Sequence, residues 1–468
     1  MTQQWHSSDR IQTIVRRRRL RRSLVSGIAV VAVAGVTVGV ATAGGPARPS
    51  HLARPRSQPV VIVPGSHVGE RLPGAIELVG NSTPLPSDPA ATAAVSQASA
   101  ALTLKLLQHA GELKDENGSA NVSTSPYSLF VALAMIENGA RGETATQIAG
   151  AIQASGIDMT TQNQGLAELT SALGSDASRS GITLESANSL WQQQGFPLKP
   201  SFLSTIATYY QAGVWQTDFA NHNAQALAAI DHWTSAKTHG KITKLFNSLD
   251  PTTVLVLANA LYFHAAWETP FDPAETTPQP FTTSTGKQVT ASFMTGDPVQ
   301  AVKTDGYQAA VLPYTGGSFE AVAIMPTTTS LPKTIENLSQ SRLADMIKSV
   351  EAAPATAGIS MPKFTTTASV DLRPVLTSLG MGSEFGRGDF SGLSTEATTI
   401  DQVRQRVYLG VGEAGTTAAA VTGGAMIGAS VRVLAEPLRF DHPFLFLIRD
   451  KVTGAILFAS EINDPTSS

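Results

Sequence analysis

Residues 413–422 read Glu-Ala-Gly-Thr-Thr-Ala-Ala-Ala-Val-Thr, and Gly-Gly-Ala-Met-Ile-Gly-Ala-Ser-Val follows at positions 423–431. After Glu413 the run is uncharged, and it lies between a predicted strand at 407–412 and another at 444–448. A Gly/Ala linker is one interpretation, but the Thr and Val residues have strand propensity. Since alternate side chains of a strand share a face, Thr416, Ala418, Ala420 and Thr422 would form one narrow face. Such a segment could enter an already packed sheet as a new strand.

The sequence around this run mixes helix and strand signals. Residues 128–138 are nearly all apolar and predict a buried helix, and residues 201–210 and 224–238 predict further helices. Residues 253–262 are apolar at successive positions, which is typical of a central strand buried on both faces. Because helices and strands do not alternate strictly, the pattern favours an α+β fold over a doubly wound sheet.

The amino end has the pattern of a targeting segment. Six arginines between positions 16 and 22 precede an almost wholly apolar run at 24–40, and Ala41-Thr42-Ala43 has small-x-small spacing. We expect residues 1–43 to be a cleaved signal peptide or an uncleaved membrane anchor through residues 24–43. Either places the rest of the protein outside the cytoplasm, secreted or anchored. Residues 44–92 are rich in Pro, Ser and Gly and predict a disordered linker, so the globular domain would span 93–468.

Composition and motifs exclude several function classes. The 468 residues include 36 acidic and 33 Lys or Arg side chains, which argues against nucleic acid as a partner. With no Cys, the chain forms no disulfide and has no thiol nucleophile. The Gly-x-Ser-x-Gly, His-Glu-x-x-His and phosphate-loop motifs do not occur. We therefore expect no enzyme activity, no metal site and no cofactor.

From about residue 93 to its end, the chain resembles a serpin. The hinge of the serpin reactive loop is similar to Glu413, Gly415, Thr416 and Ala418, Ala419 and Ala420. Further blocks occur in the order that the family has them. They are Asn121 with Ser125-Pro126-Tyr127-Ser128, Ala187-Asn188-Ser189-Leu190-Trp191, Thr238 with Gly240-Lys241-Ile242, Asn259-Ala260-Leu261-Tyr262-Phe263 with Trp267 and Pro270-Phe271, Met361-Pro362-Lys363-Phe364, Asp371-Leu372, Leu379-Gly380-Met381, Asp389-Phe390-Ser391-Gly392 and Phe440-Asp441-His442-Pro443-Phe444.

The resemblance implies a fold and a mechanism. The fold would be mixed central β-sheets surrounded by helices, with an exposed, insertable reactive loop at about 413–434, in a protein that acts as a monomer. A serine protease would cut the loop and form an acyl-enzyme, and the freed loop would insert as a strand of ~50 Å and trap the protease. The resemblance places Ser125, Ser128, Asn259 and Gln405 where the sheet parts and Trp267 where insertion starts. Non-inhibitory serpins, which act as carriers, chaperones or binding scaffolds, are the alternative.

Two counts give different scissile bonds. Counting forward from Glu413 with the family spacing gives Ala429-Ser430, which suits elastase-like or subtilisin-like proteases. Counting back from Pro443 gives Arg432-Val433, which suits trypsin-like proteases. We favour Ala429-Ser430, because the length between hinge and cut sets how far the protease is carried, whereas extra residues beyond the cut only lengthen a connection.

Overall fold

The structure of the chain is a computed structural model that describes residues 66–83, 85–396, 398–400, 402–417 and 437–467, with only the backbone of Ser66, His67, Ala187 and Ser383. The predicted targeting segment at 1–43 lies outside the described residues. So do three hinge alanines (Ala418, Ala419 and Ala420) and both predicted scissile bonds, Ala429-Ser430 and Arg432-Val433.

The described part of the chain contains two large β-sheets and nine α-helices. The helices are α1 (Pro89–Gln108), α2 (Pro126–Glu137), α3 (Gly142–Ala151), α4 (Met159–Ser180), α5 (Pro200–Tyr210), α6 (Asn223–Lys237), α7 (Leu331–Glu336), α8 (Gln340–Glu351) and α9 (Arg373–Ser378). The strands are β1 (Ser66–Leu72), β2 (Ala75–Gly80), β3 (Val122–Thr124), β4 (Thr183–Gln193), β5 (Val214–Thr217), β6 (Leu255–Ala266), β7 (Thr277–Thr282), β8 (Gln288–Lys303), β9 (Tyr307–Pro313), β10 (Phe319–Pro326), β11 (Ala355–Pro362), β12 (Phe364–Asp371), β13 (Gln402–Gly412), β14 (Gly415–Thr416), β15 (Leu438–Arg439), β16 (Phe444–Asp450) and β17 (Ile456–Ile462).

Both sheets are mixed, with parallel as well as antiparallel strand pairs. The first sheet has the order β1-β2-β5-β4-β6-β14-β13-β12. The second has the order β15-β11-β8-β9-β10-β16-β17-β3, with β7 paired to β8. Strands β4 and β5 are parallel to each other, as are β6 and β13, and most other pairs are antiparallel. The predicted α+β fold is confirmed.

Strand β6 is the buried centre of the first sheet, as its apolar sequence predicts. Val256, Ala258 and Ala260 pack in one core cluster with Ile230 and Trp233 of helix α6, so α6 covers that face. Leu257 and Leu261 alternate with them and pack in the main core cluster, which also holds the side chains of α2. The small side chains on the α6 side let the helix lie close over the line where the sheet would open.

Helix α2 contains the segment that was predicted to be a buried helix, and it lies in the core between the two sheets. Every residue from Pro126 to Glu137 is buried. The Ser125 side chain accepts a hydrogen bond from the Ser128 backbone N–H, and Pro126 occupies the first helical turn. Both features are typical of a helix start, so the Ser-Pro-x-Ser block has a clear structural reason.

Part of the predicted linker is folded, which corrects the expectation of disorder across 44–92. Strands β1 and β2 form a hairpin around Pro73–Gly74, and Gly74 has φ +84°, which glycine adopts readily. Strand β2 pairs with β5 and extends the first sheet, with Ala75 and Leu78 buried. A side chain at Gly80 would collide with the Leu203 backbone of α5, 2.3 Å from its carbonyl oxygen. Burial of these few apolar groups orders a segment whose overall composition resembles a linker.

Helix α1 begins at Pro89, a few residues before the predicted start of the globular domain at residue 93. The Asp88 side chain caps it by accepting hydrogen bonds from the backbone N–H groups of Ala90 and Ala91. Among the described residues, α1 is the one helix long and apolar enough to cross a bilayer, and half of its apolar window is buried inside the protein. We interpret it as a core helix.

Candidate functional site

The first residues of the predicted reactive loop already lie in the first sheet. Gly415 and Thr416 form β14, which pairs antiparallel with Gly412 and Val411 of β13 and with Ala266 and Ala265 of β6. Thr416 is fully buried. The loop that we expected to be exposed from residue 413 is therefore inserted at its start, because β14 meets the backbone groups that β6 and β13 present where they diverge.

Gly415 occupies a position that excludes any side chain. Its φ is +151°, outside the range that other residues adopt readily. A Cβ atom there would lie 2.0 Å from the carbonyl oxygen of Ala265. A glycine at this position of the hinge thus has both a conformational and a steric cause.

An aromatic pair supports Thr416 from inside the sheet. The rings of Trp267 and Tyr314 stack with centroids 4.5 Å apart and an interplanar angle of 11°. The Tyr314 hydroxyl lies 2.5 Å from the Thr416 hydroxyl, and the Trp267 indole N–H donates to the Gly412 carbonyl at 2.9 Å. Complete burial raises the pKa of Tyr314 above its ordinary value, so its hydroxyl stays protonated and available to Thr416.

Glu413 closes the turn between β13 and β14. Its carboxylate lies 2.8 Å from the Lys363 ammonium and accepts a hydrogen bond from the Thr276 hydroxyl at 2.9 Å. Its carbonyl accepts from the Phe271 N–H, and the neighbouring Ala414 carbonyl accepts from the Trp267 N–H. Partial burial raises the pKa of Glu413, but the Lys363 and Thr276 contacts outweigh that effect and hold it below its ordinary value.

Thr417 directly follows β14 and is the last described residue of the predicted reactive loop. It has φ +55°, which is unusual for a β-branched residue, and its buried hydroxyl has no partner among the described residues. Its carbonyl lies 3.0 Å from Nδ1 of His264 on β6. The backbone at Thr417 is therefore strained where further insertion would have to begin.

Below the hinge, β6 and β13 pair directly and close the sheet. Six consecutive residues of β13, Gln402 to Val407, face Val256 to Leu261 of β6 in parallel register. Gln405 lies opposite Asn259 within this stretch. A strand that extended β14 beyond Thr416, between β6 and β13, would have to separate these two strands.

A buried hydrogen-bond network crosses this line. The Gln405 side-chain amide donates to the side-chain oxygen Oδ1 of Asn259 and to the Ser125 backbone carbonyl, both at 2.9 Å. It accepts from the Ser125 backbone N–H at 3.0 Å and from the Thr124 hydroxyl at 2.8 Å. The Asn259 amide donates to the hydroxyl and the carbonyl of Ser128, at 2.6 and 2.7 Å. The network ties both strands to the start of helix α2.

The sequence prediction found most, but not all, of these residues. Ser125, Ser128, Asn259 and Gln405 come together in one network, and Glu413, Gly415 and Thr416 come together around Trp267. The prediction missed Thr124 and Tyr314. No sequence motif includes either residue, and each reaches the site only because folding brings distant segments of the chain together. It also gave no role to Lys363, to His264 or to Asn188, whose side-chain oxygen accepts from the Asn259 amide and the Ser128 hydroxyl, although Asn188 and Lys363 belong to matched blocks. In the part of the chain that the structure describes, no cluster of three His, Cys, Asp or Glu side chains could hold a metal ion.

Comparisons with known proteins agree on one family. A family model described as serpin (serine protease inhibitor) matches residues 97–465. An uncharacterized serpin-like protein of Thermococcus kodakarensis is 32% identical over 348 residues, which cover 74% of this chain and 81% of that protein. Serpin B6 of Pongo abelii is 31% identical over 385 residues, covering 79% and 99% of the two chains. The native-state crystal structure of the thermophilic serpin tengpin superposes with a TM-score of 0.70 at 28% identity, covering 82% of this chain and 96% of that one.

Proposed function

The chain belongs to the serpin family of serine protease inhibitors and has the serpin fold, and from this premise we propose that it is a suicide-substrate inhibitor. A serine protease cuts the loop between residues 417 and 437 and is held as an acyl-enzyme. The loop then inserts between β6 and β13 and carries the protease with it. The protein itself catalyses no reaction, needs no cofactor and acts as a monomer.

The observation that carries this proposal is the position of Gly415 and Thr416 between β6 and β13. The first two residues of the insertable strand already have their partners on both sides. Residues 417–429 continue the strand, and at ~3.3 Å each they add ~43 Å. Because they carry no charge up to Ala429, no ionised group has to be buried as they enter.

Further insertion exchanges one set of contacts for a larger one. The direct pairing of β6 with β13 over six residues is lost, together with the hydrogen bond between Gln405 and Asn259. In return, each inserted residue can pair with β6 on one side and β13 on the other, and each net hydrogen bond contributes about 1 kcal/mol. The difference is the free energy that drives capture of the protease.

The target is proposed from the loop sequence. Ala429-Ser430 as the scissile bond suits an elastase-like or subtilisin-like serine protease, and Arg432-Val433 suits a trypsin-like one. Residues 1–43 are proposed to direct the protein across the membrane, either as a cleaved signal peptide or as an anchor through residues 24–43. The target protease is then extracellular.

A non-inhibitory serpin is the second candidate, favoured by the glycines at 423, 424 and 428. Glycine weakens strand propensity, so the distal half of the loop could insert too slowly to outrun ester hydrolysis. The protein would then serve as a carrier, chaperone or binding scaffold, with its loop cleaved as an ordinary substrate.

Incubation with elastase, subtilisin and trypsin, followed by denaturing gel electrophoresis, separates the two. Inhibition gives a covalent band at the summed mass, and a protease with a blocked active-site serine serves as the negative control. Ala418→Arg should abolish the band and leave cleavage, because a cation must enter the sheet on the buried face that Thr416 begins. Ala352→Arg adds the same charge at an exposed position and should leave the band unchanged. Cleavage with no band for any protease contradicts the inhibitor proposal.

A further inference from the structure

The register of β14 determines which residues would pair next if the strand grew longer. Thr416 pairs with Ala265 of β6, and because the pair is antiparallel, an extended β14 would bring Thr417 opposite His264. On the β13 side, the same register would bring Thr417 opposite Gly410. Thr417 is therefore the first residue that β14 would have to gain if the reactive loop entered the sheet.

Thr417 makes only part of the contacts of a paired strand residue. In an antiparallel ladder, a residue of a hydrogen-bonded pair both donates to its partner and accepts from it. The Thr417 N–H donates to the Gly410 carbonyl, but the Thr417 carbonyl lies 3.0 Å from Nδ1 of the His264 ring. With φ +55°, the Thr417 backbone is left-handed and outside the range of β-strands. The ladder cannot extend through Thr417 until its carbonyl leaves the ring.

The His264 ring is the donor in this contact. A carbonyl oxygen only accepts, so Nδ1 must carry the proton. A neutral histidine ring has one N–H, on either nitrogen, whereas a protonated ring has an N–H on both. Protonation therefore ensures that Nδ1 is a donor, and a charged donor makes a stronger hydrogen bond than a neutral one. Because histidine changes charge between pH 5 and 8, the contact should tighten as the pH falls.

Ionisable groups of the neighbouring segments surround the ring. They are Tyr262 of β6 itself, Glu185 of β4, His239 and Lys241 after α6, and Tyr408 of β13. Tyr262 stacks on His264 with ring centroids 6.5 Å apart, and burial raises the pKa of Tyr262, so it stays neutral. The Glu185 carboxylate lies 2.8 Å from Nε2 of His239. Of the two histidines beside Tyr262, His264 thus contacts the loop, whereas His239 contacts β4.

We propose that His264 is a positioning residue whose ring holds the Thr417 carbonyl outside the ladder and so stops β14 at Thr416, more firmly as the pH falls. Entry of the loop requires that this hydrogen bond break and that Thr417 return to an extended backbone. The loop of the cut protein therefore enters the sheet faster at neutral pH than in mild acid. This inference rests on the proposed insertion of the loop.

A dye on the loop measures entry directly. Because the chain has no Cys, Val421→Cys provides a single thiol for an environment-sensitive dye, on the strand face opposite that of Thr416. The labelled full chain is mixed at pH 6 and pH 8 with an excess of whichever protease cuts the loop, elastase, subtilisin or trypsin, and the rate of dye burial is followed. The ratio of two proteins at the same pH removes the pH dependence of the protease.

Three variants of the labelled protein separate the donor from the charge. His264→Phe keeps a stacking ring without the donor and should enter about fivefold or more faster than the labelled parent at pH 6. His264→Asn keeps an amide N–H at the place of Nδ1 but does not titrate, so relative to it the parent should slow about fivefold between pH 8 and pH 6. His239→Asn is the control and should keep the pH profile of the parent.

Three results overturn the proposal: equal entry rates of His264→Phe and the parent at pH 6, a parent whose rate relative to His264→Asn is the same at both pH values, or loss of the pH profile in His239→Asn. His264 is only partly buried, so His264→Asn tests the stop even if His264→Phe folds poorly. Dye entry does not require the covalent complex. Entry without a covalent band therefore contradicts the inhibitor function alone, and absence of entry in every protein overturns both proposals.

Discussion

Gln405 and Asn259 face each other across the line along which the first sheet would open, joined by a side-chain hydrogen bond of 2.9 Å. Both side chains are fully buried and both also bond to residues at the start of helix α2. This bond is a polar contact that loop insertion would have to break. Because separating the two strands would leave the buried Gln405 amide N–H and the Asn259 side-chain oxygen without each other, we expect the contact to oppose premature opening.

Gln405→Ala should destabilise the intact protein by about 2–4 kcal/mol, since it leaves buried groups of Ser125, Thr124 and Asn259 without partners. It should also speed spontaneous loss of inhibitory activity on warming. Urea unfolding followed by tryptophan fluorescence measures the first effect. Gln402→Ala, three residues earlier on β13 and more exposed, is the control and should cost well under 1 kcal/mol. Equal effects of the two variants would show that the network does not hold the sheet closed.

Gly415→Ala should expel the hinge from the sheet. The added Cβ would lie 2.0 Å from the Ala265 carbonyl oxygen, a distance that no small shift accommodates. We expect the variant to be cut by the target protease without forming the covalent complex. Gly412→Ala is the matched control, because its Cβ would meet Lys363 at an ordinary 3.8 Å. Normal complex formation by Gly415→Ala contradicts the assigned hinge geometry.

Cutting the loop should raise the melting temperature by about 10 °C or more, far beyond the effect of an ordinary nick. The inserted strand adds backbone hydrogen bonds to both neighbours at about 1 kcal/mol each. Differential scanning calorimetry of intact and nicked protein measures the change. A nick in the exposed turn at Gly286 is the control and should not raise the melting temperature. If nicked and intact proteins melt together, the loop does not enter the sheet.

The carboxy-terminal fragment released by the protease should begin at Ser430. Its mass identifies the cut directly, because Ala429-Ser430 and Arg432-Val433 lie three residues apart. Ala429→Arg should shift inhibition from elastase-like to trypsin-like proteases, while Arg432→Ala should change little. A fragment that begins only at Val433 refutes the Ala429-Ser430 assignment and favours a trypsin-like target.

Stability should fall as the pH rises from about 5 to 8. Burial raises the pKa of both Glu137 and Glu461 to about 7, so the folded protein keeps protons that the unfolded chain releases near its ordinary pKa of 4.5. The free energy of unfolding therefore decreases between pH 4.5 and 7, by up to about 3 kcal/mol for each group. Glu137→Gln should flatten part of this profile and stabilise the protein at pH 8. Urea midpoints at pH 5 and pH 8 measure it, and equal midpoints for the unmodified protein would contradict the shift.

The sequence was informative where a local pattern and a structural role coincide. Ser125 and Ser128 belong to a helix start that any Ser-Pro-x-Ser sequence favours. Gly415 lies where the backbone leaves no room for a side chain, so a glycine is required. The contact of Tyr314 with Thr416 joins residues 102 positions apart, so neither composition nor spacing could indicate it. The insertion of β14 was also missed, because it depends on where β6 and β13 diverge rather than on the hinge residues themselves.

The hairpin β1–β2 has a consequence for self-association. The family model begins at residue 97, so a protein shortened to that boundary would lack the β1–β2 hairpin, whose strand β2 pairs with β5. The edge of β5 would then present unpaired N–H and C=O groups to other molecules. Among the strands that the structure describes, the outermost on this side is β1, whose register is interrupted between Val68 and Arg71 and whose Glu70 and Arg71 are charged. Because an irregular, charged edge pairs poorly with a second copy, we expect the hairpin to limit edge-to-edge association of the first sheet.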